Sequence, residues 1–495
     1  MKKGSNKKSE KKPEITTIRE AFDSLRKSTD FVFYKKDHGN VPYVISYFSS
    51  IVDAEIIHQY ILPNLLQISD LEELKSKIPI EEIIDVTSPK DLTEKLPSGY
   101  VYIYFTDSDH HGVLIPAQKN DNRSISPPEV EFSVVGPKES FIESLDTNIY
   151  LIRKRLPIDS LRVEKFTIGD LSNTEVACLY IEDIADEENI NTVRQRLNEI
   201  DFDAIGDTAY ISQIIADNQR SPFPQILDTE RPDRVATALA EGKLAILVDR
   251  SPHALIGPTT FNESISTFED YLLNWYAASF IRIVRIASIA FSILITPIYV
   301  ATLTYHYELI PKDLLATLIT SRRAIPLPPI LEALFLELTI ELLREAGARL
   351  PTKVGQTIGI VGGIVIGTAS VEAGLTSNVL LIMVALAALA SFTTPTYQFG
   401  NTIRLIRFPF LFFAHAWGLI GIVLCFSLLA GHLLQLTSLG RPYLEPFYPT
   451  RVRDLKDTII RLPFSKLSRR PVQNHPEQKK RFSPKDERVH RDIDE

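Results

Sequence analysis

The chain contains few of the residues and patterns on which disulfides, metal sites and common enzymes depend. Its 495 residues include two cysteines, Cys178 and Cys425, which fall in different halves, so neither a disulfide framework nor a thiolate metal site is expected. No GxxxxGK phosphate loop, HExxH, GxSxG or paired CxxC motif occurs. We therefore predict a protein that is not an enzyme, with no catalytic residues, no cofactor and no metal ligands.

A secretory signal is also missing from the beginning of the sequence. The first residues, MKKGSNKKSEKKPE, are polar and include six lysines among the first twelve positions, whereas a signal peptide needs a central apolar run. We expect the region that follows to stay in the cytoplasm. Residues 1–30 are rich in Lys, Glu and Ser and are predicted to form a disordered tail.

The overall composition averages two unlike halves. The charged fraction is 23%, the net charge is −8 and the mean hydropathy is +0.01, values that are ordinary for a soluble protein. Up to about residue 270 the chain is acidic and polar, whereas apolar segments dominate residues 286–440. We expect a multi-domain membrane protein, in which a cytoplasmic α/β region precedes an all-α transmembrane domain.

The cytoplasmic region alternates between strand and helix patterns in two sets. The first set, in residues 31–130, has a helical stretch at AEIIHQYILPNLLQ and three predicted strands: VPYVISYF (41–48), YVYIYF (100–105) and GVLIPA (112–117). In the second set, residues 131–270, the helix NTVRQRLNEI lies between the strands TEVACLYIED and KLAILVD. This alternation indicates two α/β subdomains.

Four apolar segments approach the length of about 20 residues that a helix needs to cross a bilayer. We predict them as the spans of a transmembrane helical domain at 271–440: 283–305, 354–371, 377–393 and 409–436. A further apolar stretch, 329–346, carries Glu332, Glu337 and Glu341. Because carboxylates are costly against lipid, we expect a re-entrant or interfacial helix there.

Four crossings would place both ends of the chain on the same side. Residues 441–495, predicted to be a basic cytoplasmic tail, contain fourteen Lys and Arg against nine Asp and Glu, which agrees with a cytoplasmic location. Arg344, Arg349, Arg404 and Arg407 would then lie on the outer side, against the positive-inside bias. A fifth crossing at 329–346 would separate the two ends, and this alternative stays open.

Glycines recur every fourth residue in the uncharged segment 354–371. Their shared helical face lets another helix approach closely, which makes them the predicted helix-packing residues: Gly355, Gly359, Gly363 and Gly367. The opposite face carries the candidate pore-lining residues, in which the two apolar members would form a constriction that excludes water: Thr357, Val361, Ile364 and Thr368. Three carboxylates would either attract cations or form structural ion pairs: Glu337, Glu341 and Glu372.

The other conspicuous residues are interpreted as structural. The glycines of GIVGGIVIG (359–367) lack the preceding strand and the later acidic residue of a dinucleotide-binding loop. The turn TDSDHHG (106–112) is expected to be solvated and not a metal cluster, and the basic triplet 153–155 to be a solvated face and not a nucleic-acid site. Five more residues are expected to hold turns or to be packed hydrogen-bond donors: Arg231, Asp233, Asp249, His415 and His432.

Five separated blocks of the sequence resemble the A-subunit family of bacterial spore germinant receptors. In chain order they are VVGPKESFIESLDTNIYLIRKRL (134–156), PFP (222–224), RPDRVATALAEGKLAILVDRSP (231–252), ELLREAGARLP (341–351) and VGQTIGIVGGIVIGTASVEAGLTSN (354–378). The resemblance covers about residues 35–465 and leaves the charged end of the chain, 466–495, unexplained.

The resemblance implies two cytoplasmic α/β subdomains followed by a multi-pass membrane domain in the inner membrane of the dormant spore. It implies a transporter-like B subunit and a lipoprotein C subunit as partners, and no nucleic acid. The A subunit would form a ring-shaped homo-oligomer, a pentamer, that acts as a nutrient-gated cation channel and triggers germination. The alternative is a membrane-anchored scaffold that assembles the receptor without conducting ions. A secondary transporter is a third class, but the sequence shows no inverted repeat of broken helices.

Overall fold

The structure is a computed structural model that describes residues 17–36, 41–65, 71–80, 82–106, 111–119, 128, 131, 135–350, 352–452 and 454–482. For residues 352–361 and Lys456 the description covers the backbone only. Three predicted features therefore fall outside the described residues: the first part of the tail at 1–16, the end of the chain at 483–495, and positions 107–110 of the TDSDHHG turn.

The first subdomain is a five-stranded antiparallel sheet, in the order β1-β2-β4-β5-β3, with helices packed against it. Its predicted strands are confirmed to within two residues at each end. The elements are α1 (Ile18–Leu25), β1 (Phe31–Lys36), β2 (Tyr43–Phe48), α2 (Ala54–Ile56), a π-helical turn (Ile57–Ile61), α3 (Leu62–Leu65), α4 (Leu71–Lys77), β3 (Ile84–Asp85), α5 (Pro89–Lys95), β4 (Tyr100–Phe105) and β5 (Gly112–Pro116).

The second subdomain is also a five-stranded antiparallel sheet, in the order β6-β7-β9-β10-β8, but it has an apolar core on each face. Helices α6 and α9 cover one face, and α7 and α8 cover the other. The elements are α6 (Leu145–Arg155), β6 (Leu161–Ile168), β7 (Thr174–Ile181), α7 (Glu187–Asn198), α8 (Thr208–Ile214), β8 (Leu227–Thr229), α9 (Pro232–Ala240), β9 (Leu244–Val248), β10 (Ala254–Gly257) and α10 (Phe261–Ile265).

Part of the predicted disordered tail at 1–30 is folded. Thr17 and Glu20 form a capping box at the beginning of α1, so two of the backbone N–H groups there are satisfied. Ala21, Phe22 and Leu25 are buried, and the ring centroid of Phe22 lies 5.7 Å from that of Tyr102 on β4. The tail prediction was wrong for residues 18–30 because the polar composition of the segment concealed one short amphipathic helix.

A buried ion pair joins the two subdomains. Arg153 of α6 is fully buried, with Nε 2.6 Å from Asp30 Oδ2 and Nη2 2.7 Å from Asp30 Oδ1. Burial alone would raise the pKa of Asp30, but Arg153 and hydrogen bonds from Ser28 and Ser50 outweigh it, so the pKa is lowered. The basic triplet is therefore not a solvated face at Arg153. Its partner lies 123 residues earlier and is not apparent from the local sequence.

The second half of the chain is helical. Its described helices are α11 (Trp275–Tyr305), α12 (Lys312–Arg322), α13 (Pro329–Arg349), α14 (Thr352–Glu372), α15 (Asn378–Ser391) and α16 (Tyr397–Gln435). Among the described residues, α11 and α16 are long and apolar enough to cross a membrane, and α15 is a shorter apolar helix. The stretch predicted as a short re-entrant or interfacial helix, 329–346, is the 21-residue α13, about 31 Å long and packed among the others.

Helix α16 folds back on itself at Gly418, whose φ of 62° and ψ of −141° are not helical. Near its beginning, Thr402 donates a hydrogen bond to the carbonyl of Pro222, and near its end His432 Nε2 lies 2.9 Å from Ser221 Oγ. A straight helix would separate residues 402 and 432 by about 45 Å. Residues 397–417 and 419–435 are therefore two antiparallel arms, which we call the α16 hairpin.

The α16 hairpin overturns the prediction of one long span at 409–436. The segment is uncharged and apolar, so its composition does not reveal a reversal of direction. A positive φ is accessible to glycine at little cost, and an added Cβ at Gly418 would lie 2.8 Å from His306 Nε2. Both backbone conformation and space therefore require glycine at this position.

The helical half leaves the second subdomain and returns to it. The far end of α11 reaches the tip of the α16 hairpin, where the Tyr305 hydroxyl donates to the carbonyl of Ala416 at 3.1 Å. The turn before α15 also lies towards that end, because Ser377 Oγ is 3.0 Å from the hydroxyl of Tyr299. At the opposite end, the ring of Phe399 lies 6.4 Å from that of Phe223 in the second subdomain. Both ends of the helical half are thus on the same side.

The last described part of the chain is packed against the second subdomain. This C-terminal segment, residues 436–482, begins with a small hairpin of β11 (Thr437–Ser438) and β12 (Arg441–Pro442). Arg441 Nη2 lies 2.6 Å from Asp186 Oδ2, and the Arg470 Nε donates to the carbonyl of Ala240 at 2.7 Å. The predicted basic tail at 441–495 is therefore not free over its described residues, because acidic and carbonyl groups of the second subdomain bind its arginines.

Candidate functional site

The described part of α14 presents the predicted pore face to the surface of the chain. Ile364 is 62% exposed, and Thr368 is exposed with its hydroxyl donating to the Ile364 carbonyl at 2.8 Å. The side chains of Thr357 and Val361 lie outside the described residues. Within the described part of the chain, this face of α14 is therefore largely uncovered by other side chains.

The glycines of α14 do not all serve the same contact. Gly367 is buried, and a Cβ added to it would lie 3.6 Å from the side chain of Leu381. A Cβ added to Gly363 would meet nothing within 4 Å. The close approach of α13 to α14 instead uses Gly362, where a Cβ would lie 2.5 Å from Leu343. Gly355 and Gly359 lie outside the described side chains. Of the predicted packing glycines that the structure describes with their surroundings, Gly367 therefore contacts a neighbouring helix and Gly363 does not.

A buried ion pair between Glu337 and Arg407 lies at the centre of the helical half. Their side chains are 2% and 3% exposed. Thr296 Oγ1 donates to Glu337 Oε1 at 2.9 Å, and Arg407 Nη2 donates to Ser292 Oγ at 2.7 Å. These contacts connect α11, α13 and the first arm of the α16 hairpin. Because its charge is compensated inside the bundle, Glu337 holds helices together and does not present a free negative charge to ions.

The remaining carboxylates of the helical half have different environments. Glu332 is buried with Oε1 2.7 Å from Arg322 Nη2. Glu341 pairs with Arg344, and Glu345 pairs with Arg349, which are the structural pairs expected for this helix. Glu372 is exposed at the end of α14, and no ion pair to it occurs within the described part of the chain. Of the three candidate carboxylates, Glu372 alone keeps an uncompensated charge there.

Sequence reasoning missed the partners that neutralise these carboxylates. Arg404 and Arg407 interrupt an apolar run, and an ionisable residue in such a run marks a functional or structural site by default. That signal indicates that a buried partner exists, but it does not identify the partner. The identity of the partner was not available, because Glu337 lies 70 residues before Arg407.

Arginines at the beginning of α11 fix this helix to the second subdomain. The carboxylate of Asp270 accepts from Arg282 Nε at 3.2 Å and from Arg285 Nη1 at 3.1 Å. Arg282 Nη1 also donates to the carbonyl of Asp457 in the C-terminal segment at 2.5 Å. Burial would raise the pKa of Asp270, but the two arginines and Thr267 outweigh it, so the pKa is lowered. This Asp270 cluster joins the subdomain, the first long helix and the C-terminal segment.

Four of the five residues interpreted as structural make structural contacts. Arg231 Nη2 lies 2.7 Å from Asp233 Oδ2, and Asp249 Oδ1 accepts from the backbone N–H of Leu145 at 3.4 Å. His432 lies against Ser221, as described for the α16 hairpin. Among the described residues, no group of three His, Cys, Asp or Glu side chains is placed to hold a metal ion.

These features define a two-part protein, in which two α/β subdomains are anchored by ion pairs to a bundle of apolar helices. A family model described as Bacillus/Clostridium GerA spore germination protein matches residues 16–473. The chain belongs to the GerA spore germination protein family.

Individual relatives agree over nearly the whole chain. It is 50% identical over 474 residues to spore germination protein GerQA of Bacillus cereus, with 95% of each chain covered. It is 46% identical to spore germination protein GerIA of Bacillus cereus, over 95% of this chain and 71% of the relative. The solved N-terminal domain of the A subunit of the Bacillus megaterium spore germinant receptor GerK3 is 29% identical with a TM-score of 0.39, over 49% of this chain and 94% of that domain.

Proposed function

We propose that this chain is the A subunit of a spore germinant receptor and forms a nutrient-gated cation channel in the inner membrane of the spore. The channel is a homo-oligomeric ring, a pentamer, which works with a transporter-like B subunit and a lipoprotein C subunit. The subdomains face the cytoplasm. The observation that carries the proposal is the exposed, uncharged surface of α14: among the described residues a Cβ added at Gly363 would meet nothing within 4 Å, and Ile364, on the opposite face, is 62% exposed.

The distribution of aromatic residues supports a helical half that spans the membrane. The two tryptophans of the chain lie at opposite ends of the bundle and are both exposed: Trp275 at the beginning of α11 and Trp417 at the tip of the α16 hairpin. Exposed tyrosines accompany each of them, Tyr276 and Tyr397 near the subdomain and Tyr305 and Tyr307 at the far end. The 31 residues of α11 extend about 45 Å, the thickness of a bilayer with its headgroups. Aromatic residues favour these two interfaces.

The same layout supports a pathway at the ring axis. Close packing between subunits requires a helix face without side-chain bulk, which Gly363 provides. The neighbouring Ile364 would then meet its copies near the axis and form a dry barrier, which opens when the helices separate. Glu372, at the far end of α14, would attract cations to one mouth of the pathway. Glu337 and Glu341 are assigned structural roles because both are engaged by arginines.

The test compares two isoleucines that differ in position but not in exposure. Ile364 on α14 is 62% exposed and Ile382 on α15 is 59% exposed, so alanine removes the same atoms from equally exposed sites. We expect spores with Ile364→Ala to release potassium in buffer without nutrients, because several side chains are lost from one barrier at once. Val361→Ala is expected to act similarly, and Ile364→Phe to block nutrient-triggered release.

The same measurement of potassium release provides the control and the results that would contradict the proposal. Spores with Ile382→Ala should retain potassium as the wild type does. Equal leakage from Ile364→Ala and Ile382→Ala, or normal retention in both Ile364→Ala and Val361→Ala, would exclude α14 as the gate. Normal receptor assembly without any conductance of the purified complex would favour the scaffold alternative, which the internal compensation of Glu337 and Glu341 also permits.

A further inference from the structure

A cavity of about 820 Å³ lies between the second subdomain and the C-terminal segment. Its walls include Ala238 of α9, Ile256 of β10 and the ring of Tyr271, which precedes α11. Leu467 and Val472 of the C-terminal segment close the other side. The volume lies in the range of about 300–1,000 Å³ that small-molecule sites occupy, and part of the lining is apolar.

The carboxylates that line this cavity are engaged by groups of the protein. Each accepts a hydrogen bond or forms an ion pair: Glu241 with Arg481 at 2.6 Å, Glu263 with Lys243, Asp457 with the Tyr271 hydroxyl at 2.7 Å, and Asp454 with the backbone N–H of Val472 at 2.8 Å. Glu241 and Glu263 are therefore balanced by basic side chains, whereas Asp457 and Asp454 are stabilised by hydrogen bonds from neutral donors.

The basic groups of the lining are not balanced in the same way. Within the part of the chain that the structure describes, Lys466, Arg469 and Lys479 line the cavity without an ion-pair partner. Among the described residues, the side chain of Arg470 donates to the carbonyl oxygens of Ala240, Gln478 and Lys480. Burial and the nearby Arg481 lower the pKa of Arg470, and the opposing effect of Glu241 does not offset them. The lining holds seven Lys and Arg side chains against four Asp and Glu, so the cavity carries a net positive charge.

We propose that this cavity binds a phosphate-bearing anion. A multiply charged oxyanion matches several converging cations better than a single carboxylate does, and Arg and Lys are the usual phosphate-binding side chains. The cavity adjoins the beginning of α11, because its lining residue Asp457 accepts a hydrogen bond from Arg282 through its backbone carbonyl. Two sources of phosphate can therefore reach it, the headgroup of an anionic phospholipid and a soluble phosphate compound.

The experiment uses the full chain purified in a neutral detergent and two probes. Binding of radiolabelled inorganic phosphate is measured by equilibrium dialysis, and binding to vesicles of phosphatidylglycerol is compared with binding to vesicles of phosphatidylcholine. The test variant is Lys466→Gln combined with Lys479→Gln, two exposed lysines whose replacement should leave the melting temperature of the free protein unchanged. We expect binding of the effective probe to weaken about tenfold or more.

A matched control removes the same charge elsewhere. Lys90 and Lys138 are also exposed and lie outside the cavity lining, so Lys90→Gln combined with Lys138→Gln should bind as the wild type does. Phosphate binding without a preference for phosphatidylglycerol supports a soluble ligand, and the reverse result supports a lipid headgroup. Failure of the wild type to bind either probe would overturn the proposal, as would equal weakening in both double variants. None of these results bears on the channel proposal.

Discussion

Replacing Glu337 by Gln is expected to destabilise the helical half far more than the same change at Glu341 on the same helix. The amide keeps the shape of the side chain and can still accept from Thr296, but it leaves Arg407 buried with only the hydroxyl of Ser292. Breaking one partner of a buried ion pair costs about 3–5 kcal/mol, because a charge remains without compensation. Glu341 and Arg344 are 26% and 30% exposed, and an exposed pair contributes about 0–1 kcal/mol.

These energies convert into a measurable difference in melting temperature. For domains of about 150–250 residues, 1 kcal/mol corresponds to roughly 2–4 °C. Glu337→Gln should therefore lower the apparent melting temperature in detergent by roughly 6–20 °C, and Glu341→Gln by less than about 4 °C. Adding Arg407→Met to Glu337→Gln should recover part of the loss, because the second change removes the stranded charge.

The double variant separates this explanation from simple damage to the core. If the double variant loses as much stability as the two single variants added together, the pair is not coupled and the reasoning fails. The reasoning also fails if Glu337→Gln lowers the melting temperature by no more than the range expected for Glu341→Gln. Potassium retention of spores that carry Glu337→Gln then shows whether the contact among α11, α13 and the α16 hairpin also keeps the closed state intact.

Three further outcomes are expected. Gly363→Leu should abolish the oligomer on native gels while the soluble subdomains stay folded, whereas Gly431→Leu, another glycine with open space around an added Cβ, should leave it intact. The isolated fragment 17–265 should show a higher melting temperature by circular dichroism than 31–265, which lacks Asp30 and strands Arg153. The lowered pKa of Asp270 means that its stabilisation is present above the unfolded value of about 3.9 and is lost as the pH falls, so acid should reduce the melting temperature of Asp270→Asn less than that of the wild type.

Each of the three has a contrary result. A normal oligomer of the Gly363→Leu variant would remove this glycine from the subunit interface. Equal melting of the two fragments would show that the Asp30–Arg153 pair adds nothing to the joint between subdomains. Parallel acid profiles of the wild type and Asp270→Asn would show that the Asp270 cluster does not set the acid stability.

Local patterns in the sequence predicted local elements well. Strands such as β4 and β9 are short runs of apolar and β-branched residues, and they form because these side chains are buried on the sheet faces. The uncharged run at 354–371 is helical along its whole length. The positions of these elements therefore followed from residue type and spacing alone.

Contacts between distant parts of the chain could not be predicted in the same way. Arg153 belongs to a basic triplet whose surroundings suggest solvent, yet its partner Asp30 lies in the other subdomain. The reversal at Gly418 depends on space beside His306 and not on the residues next to it. The glycine that meets α13 is Gly362, which a four-residue spacing excludes. In each case the decisive partner is far away in sequence, so local residue patterns do not reveal it.

The position of the C-terminal segment has a consequence for the order of biosynthesis. Arg470 and Glu477 bind backbone groups of Ala240 and Ile184 in the second subdomain, but the ribosome makes them more than 200 residues later. The subdomain must therefore leave the ribosome with this surface uncovered, and it waits until every helix between residues 275 and 435 has been synthesised. A chain that stalls within the helical half would keep the surface exposed, which would distinguish it from a finished subunit.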